Sequence, residues 1–159
     1  MSTSAVMAYR KRVEAHAIGM RHRQHQEAPP NAVKHAYQTP PPGDWAIWAI
    51  IAGRGAGKTF AGSEFILDQI EAGARRVALV GATSSDVRDV MVEGPSGILN
   101  RAVARGWRKP VYQSTRRRIV IYPPGGGAAI AFLYSAEEPD RLRGPEHEVA
   151  WADEYAAWD

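Results

Sequence analysis

An α/β fold, built on a parallel sheet flanked by helices, is predicted by three observations. Short, continuously apolar runs near 45–51, 77–80 and 149–152 alternate with stretches of helical spacing, the pattern of parallel strands covered on both faces. Residues 52 to 59 read Ala-Gly-Arg-Gly-Ala-Gly-Lys-Thr and stand between the first of these runs and a helix-like stretch that begins near Phe60. The last run ends in an adjacent acidic pair, Asp153 and Glu154, where an open parallel sheet collects its ligands.

Composition permits such a domain. A chain of 159 residues, 45% hydrophobic, is about one ordinary domain with enough apolar material for a core. With no cysteine, disulfides and thiolate metal sites are excluded. Histidines 16, 22, 25, 35 and 147 lack partnered ligand spacing, so they read as solvated or packed side chains. No apolar run approaches the ~20 residues a membrane span needs, and no secretory signal is visible. The formal net charge of +3 hints weakly at an anionic partner, and clusters such as Arg10, Lys11 and Arg12 or Arg116, Arg117 and Arg118 read first as solvated faces.

The elements follow in order. Residues 1–27 form a basic helical segment with an apolar stripe of Val6, Tyr9, Val13, Ala17 and Met20. Residues 28–44 are a linker, since Pro29, Pro30, Pro40, Pro41 and Pro42 break helix. The main domain occupies 45–159. Its first strand is expected over Trp45 to Ile51, and its first helix carries Phe60, Ser63, Glu64, Leu67, Ile70 and Glu71 at helical spacing, with Gly73 as the stop. Val77 to Val80 make a second strand, and 84–92 with 95–104 a helix broken at Gly94 and Pro95. Val111 to Gln113, Arg118 to Tyr122, a Pro-Pro-Gly-Gly-Gly turn and Ala129 to Tyr134 predict an antiparallel excursion ending in a hairpin. Val149 to Ala152 is the final strand.

Strand, glycine-rich loop and helix in this order make a phosphate-binding loop. Gly53, Gly55 and Gly57, with Ala56 between them, let backbone N–H groups turn inward on a polyphosphate. Lys58 is expected to reach the β- and γ-phosphates and Thr59 to hold Mg²⁺, at the N-terminus of a helix that adds its own partial charge. The usual opening glycine is replaced by Ala52, which fits if its φ is negative. The ligand read from this is a Mg-nucleotide. Asp153 suits the carboxylate that orders the Mg²⁺ shell, and Glu154 the base that polarises a water. A kinase gains nothing from such a base, so ATP hydrolysis is the better reading. Arg143 and, inside the loop, Arg54 compete for the role of the cation that stabilises the transition state.

Five ordered blocks carry a family resemblance: Gln38-Thr-Pro-Pro-Pro-Gly-Asp-Trp45 with Trp48, Gly-Arg-Gly-Ala-Gly-Lys-Thr at 53–59, Val-Arg-Asp-Val-Met-Val-Glu-Gly at 87–94, Tyr-Ser-Ala-Glu-Glu-Pro-Asp-Arg-Leu-Arg-Gly at 134–144 and Trp-Ala-Asp-Glu at 151–154. Over about residues 35–158 the chain resembles the ATPase domain of phage terminase large subunits, of the branch found in tailed phages and gene transfer agents. The resemblance implies a P-loop NTPase of the ASCE type and a motor that packages double-stranded DNA. It further implies a portal protein and a small terminase subunit as partners, a homo-oligomeric ring when full length, and work in the host cytoplasm away from any membrane. It also implies that Lys58 and Thr59 contact phosphate and Mg²⁺, that Asp153 orders the metal, that Glu154 is the catalytic base, that Gln38 contacts adenine and that Arg143 acts across subunits.

Against that family the chain is expected to be truncated after the Walker B strand, without a coupling motif, further strands or a nuclease domain. The expected consequence is a gap in the sheet centre, or a rearrangement in which the 45–51 and 149–152 strands meet. Two other functional readings stay open. One is a nucleotide-binding or assembly module without turnover, and the other is a helicase-like ATPase, which shares the loop and the acidic pair but not the Trp45 and Trp48 or Leu-Arg-Gly blocks.

Overall fold

The computed structural model describes residues 33–158. The predicted N-terminal helical segment, residues 1–27, and the start of the proline-rich linker lie outside them. Residues 34–58 and residues 59–158 belong to separate compact units.

In the larger unit, β1 (Arg76–Gly81), β2 (Arg108–Gln113), β3 (Arg118–Tyr122), β4 (Ala129–Ser135) and β5 (Val149–Ala152) form one sheet in the order β2-β3-β4-β1-β5. β1 pairs in parallel with β4 on one side, Leu79 opposite Leu133, and with β5 on the other, Leu79 opposite Trp151. Its residues are buried from Val77 onward, which explains why it reads as an unbroken apolar run rather than an alternating one. β3 runs antiparallel to both β4 and β2, the excursion expected from 111–134. Its alternating burial marks a strand with one face on the core. The outer strand β2 is blunted as an edge by Pro110, by flanking Arg108 and Lys109, and by a register break between Arg108 and Val111.

Helix α1 (Lys58–Glu71) buries Ile66, Leu67 and Ile70 in one core with Val77 and Leu79 of β1 and Ile119 and Ile121 of β3. Each such side chain contributes about 1.5–3 kcal/mol on leaving water. The helix stops as its sequence predicts. Gly73 takes φ +123°, its N–H donates to the Ile70 carbonyl, and the Ala74 N–H donates to that of Gln69, a Schellman closure. The broken helix also appears: α2 (Ser84–Asp86), capped by the Thr83 hydroxyl, runs into a π-helical stretch Val87–Val92, and α3 (Ile98–Ala104) begins after Gly97.

Two contacts fix α1 on its neighbours. Glu64, buried in the helix, accepts from Arg101 Nε at 2.9 Å and from Arg105 Nη2 at 2.6 Å, and Arg105 also reaches Asp68 at 2.6 Å. On another side Gly62 lies against the Trp151 indole so closely that a Cβ there would stand 2.2 Å from Cε2. Gly62→Ala, which an isolated helix would welcome, is therefore expected to destabilise the chain by ~1–3 kcal/mol through overpacking. A urea midpoint that rises instead would show that α1 does not seat on Trp151, whereas the same substitution made in a Trp151→Leu background should cost much less than it does in the unaltered protein.

The opposite face of the sheet carries a smaller cluster of Ala78, Val80 and Tyr134, packed by Phe132, Leu142 and Trp158. His147 adjoins it, with Nε2 3.0 Å from the Tyr134 hydroxyl and Nδ1 buried with no hydrogen-bond partner among the described residues. Burial, and then the charge of Arg76, hold its imidazole below the ordinary value of 6.5. The unfolded chain thus takes up a proton at a pH where the folded chain resists it. Stability is full above pH 6.5 and falls as pH drops from there toward the lowered folded value. Urea midpoints at about pH 5 and about pH 7.5 check this. The difference should shrink in His147→Gln, and an unchanged slope would exclude this histidine as its source.

The predicted first strand is a correction. Residues 45–51 form no strand, and Ile47 and Ile51 are 85% and 67% exposed. A strand needs a ladder partner, and residues 34–58 contain only the 3₁₀ turn Ala36–Gln38 besides irregular backbone. Trp45 is instead committed locally, its indole N–H donating to the Pro41 carbonyl at 2.9 Å and its ring lying 6.5 Å from that of Trp48. The sheet of the larger unit consequently has no central gap. Its five strands are contiguous.

Candidate nucleotide-binding site

The loop between Ala52 and Lys58 has the geometry its glycines permit. Gly55 and Gly57 occupy the left-handed region at φ 79° and 75°, where a side chain would be strained. Gly53 is not among the positive-φ glycines, so its role is space: a Cβ there would meet nothing within 4 Å. Ala52 likewise stays out of the left-handed region, as the substitution for glycine required. The Ala56 N–H closes a turn onto the Gly53 carbonyl at 3.4 Å. Lys58, the first residue of α1, folds back and donates to the carbonyls of Ala52 at 3.1 Å and Gly53 at 3.4 Å, holding its ammonium over the loop. Thr59 follows, half-buried, in the first turn of α1, and Arg54 is exposed in the turn itself.

Gln38 joins this group. It is buried, its Nε2 donates to the carbonyls of Ala56 and Gly57 at 3.4 Å each, and its Oε1 accepts from the His35 N–H at 2.9 Å. Beside it the Tyr37 hydroxyl donates to the Ala56 carbonyl at 3.2 Å. Nothing in the sequence singled out Tyr37. The one available signal was its place next to Gln38.

Asp153 and Glu154 lie in the larger unit, immediately past the carboxyl end of β5. The Asp153 N–H extends the parallel ladder by donating to the Val80 carbonyl at 2.9 Å, and its carbonyl accepts from the Trp158 indole at 3.2 Å. The residue is half-buried. Glu154 turns sharply out of the strand, exposed and in the left-handed region at φ 48°. A non-glycine residue there costs on the order of 1–3 kcal/mol and persists only where its surroundings impose it. Arg143 follows the 3₁₀ turn Pro139–Leu142 and is 85% exposed, with Asp140 3.2 Å away. A pair so open to water holds its arginine weakly. The loop with Gln38 thus stands in one unit, and the acidic pair with Arg143 in the other.

Among the described residues no group of three or more potential ligands could hold a metal by itself, and no helix is long and apolar enough to cross a membrane.

Comparison with known proteins points one way. The family model described as terminase large subunit, T4likevirus-type, N-terminal, matches residues 49–159. No curated protein matches. Among solved structures, the large terminase ATPase domain of Thermus phage P74-26 is similar in fold, with a TM-score of 0.52 and 20% identity over 67% of this chain and 47% of that one. An arginine-to-alanine mutant of that domain gives 0.51 and 19% over the same shares. This chain therefore spans about half the length of the solved domains it matches.

Proposed function

Because this chain belongs to the N-terminal family of T4-like-virus-type terminase large subunits, we propose that it is the ATP-hydrolysing motor portion of a DNA-packaging terminase, coupling Mg-ATP hydrolysis to movement of double-stranded DNA into a procapsid. The observation that carries this is the loop itself: left-handed Gly55 and Gly57 with Lys58 drawn over them, in a chain that also carries an acidic pair at the carboxyl end of a parallel strand.

In this reading the amides of residues 53–57 and the Lys58 ammonium bind and orient the polyphosphate, and the start of α1 adds its partial positive charge. Bound Mg²⁺, held by Thr59 and ordered by Asp153, supplies neutralisation of charge on the phosphate oxygens. Glu154 orients a water and takes its proton. Arg143, exposed and loosely paired, reaches a neighbouring subunit's nucleotide in a homo-oligomeric ring, with Arg54 as the alternative cation acting within one chain. Double-stranded DNA, a portal protein and a small terminase subunit are the partners, in the cytoplasm of the host.

The test is ATP turnover across a protein concentration series, with and without double-stranded DNA. Turnover that rises faster than concentration, and loses that excess in Arg143→Ala, supports the assembled motor. Binding of ATP with no turnover under any condition would assign the chain to nucleotide binding without hydrolysis, and strand separation would favour a helicase-like ATPase.

A further inference from the structure

We infer that Tyr37 and Gln38 are positioning residues that aim the loop's anion-binding amides by holding the carbonyl ends of the same peptide groups. This rests on the nucleotide reading above and assigns to Gln38 a role exerted through the loop rather than through the base.

The argument starts from the planar trans peptide, in which the carbonyl of one residue and the N–H of the next point in opposite directions. A loop whose N–H groups turn inward on phosphate must therefore turn its carbonyls outward, where each needs a donor. The Ala56 carbonyl receives the Tyr37 hydroxyl at 3.2 Å and shares the Gln38 amide at 3.4 Å, and the Gly57 carbonyl takes the same amide at 3.4 Å. These two peptide groups carry the N–H groups of Gly57 and Lys58 at their other ends. Fixing the carbonyls fixes the direction in which those amides point, at the residue, Gly57, whose left-handed backbone is least restrained by sterics.

The braces are themselves held. Gln38 is buried, and its Oε1 is occupied by the His35 N–H, so both ends of the carboxamide are engaged by the chain. The Tyr37 ring stacks on His35 at 5.4 Å and 7°.

The test uses Tyr37→Phe and Gln38→Met, which keep bulk and remove the donor. Calorimetric titration with inorganic tripolyphosphate, ATP and GTP, each with Mg²⁺, should show both variants weakened about fivefold toward all three ligands, the size of one lost hydrogen bond, with the ATP to GTP ratio unchanged. Loss of the ATP preference with tripolyphosphate affinity intact would overturn the proposal and make Gln38 a reader of the base. Amide hydrogen exchange of the ligand-free protein gives a second readout that needs no nucleotide. The Gly57 and Lys58 amides should exchange faster in both variants while amides of β1 do not, and unchanged exchange would overturn the brace. Failure of the unaltered protein to bind any of the three ligands would overturn the nucleotide reading instead, and the exchange result would still judge the brace.

Discussion

Replacing Glu154 by glutamine is expected to lower ATP turnover by about 10²–10⁴-fold, the range a general base supplies, while leaving nucleotide affinity unchanged. Glutamine matches glutamate in size and tolerates the same backbone, so the left-handed exit from β5 survives the change. What it removes is basicity at an exposed side chain that no phosphate-binding role requires. Asp153→Asn separates the two carboxylates of the pair, because it should weaken Mg-nucleotide binding as well as turnover. Steady-state hydrolysis and calorimetric ATP binding, measured on each variant, read the two effects independently. Turnover retained in Glu154→Gln would remove the glutamate from the chemistry and leave the proposed reaction without a base.

The largest loss of stability is expected at Glu64. Its carboxylate is the shared acceptor for Arg101, itself buried, and for Arg105, mostly buried, and the guanidinium carbons of these arginines lie 4.7 Å and 5.8 Å from the ring centroids of Phe60 and Trp107. Glu64→Ala removes the one carboxylate that both arginines share inside the fold, and breaking such a buried pair costs about 3–5 kcal/mol. Arg105 keeps Asp68, so it is the less affected of the two. Glu64→Leu combined with Arg101→Met should be far milder than Glu64→Ala, because it takes the buried guanidinium away together with the carboxylate that faces it. Urea unfolding of the three proteins decides the matter, and equal destabilisation of the single and double variants would contradict it.

Elements whose determinants are local were readable. The stop at Gly73 depends on residues within a few positions, and the structure places it, like the apolar runs at 118–122 and 149–152 that do find strand partners, where turn chemistry and periodicity put them. The loop was legible for the same reason, since left-handed glycines and a lysine opening a helix are local properties. Residues 45–51 were not, because a strand is a property of two segments and the apolar run says nothing about whether a partner is at hand. Tyr37 escaped notice because its partner is a backbone carbonyl 19 residues away, and carbonyls carry no sequence signature. Glu64 fell on an apparently ordinary helical position, and only the tertiary approach of Arg101 and Arg105 shows it buried.

The place of β1 between β4 and β5 has a consequence for how the chain is made. Both of its neighbours come later in the sequence, and roughly 70 residues must be added after Gly81 before Ala152 exists to complete the second ladder. At synthesis rates of about 5–20 residues per second that is a wait of roughly 4–14 s. During it the β1 segment, which in the folded chain is almost entirely covered, has both ladders unformed until β4 is made and one still open until β5 follows. Slow codons placed between 136 and 148 prolong that interval, so they should lower the soluble yield more than the same codons placed before residue 76.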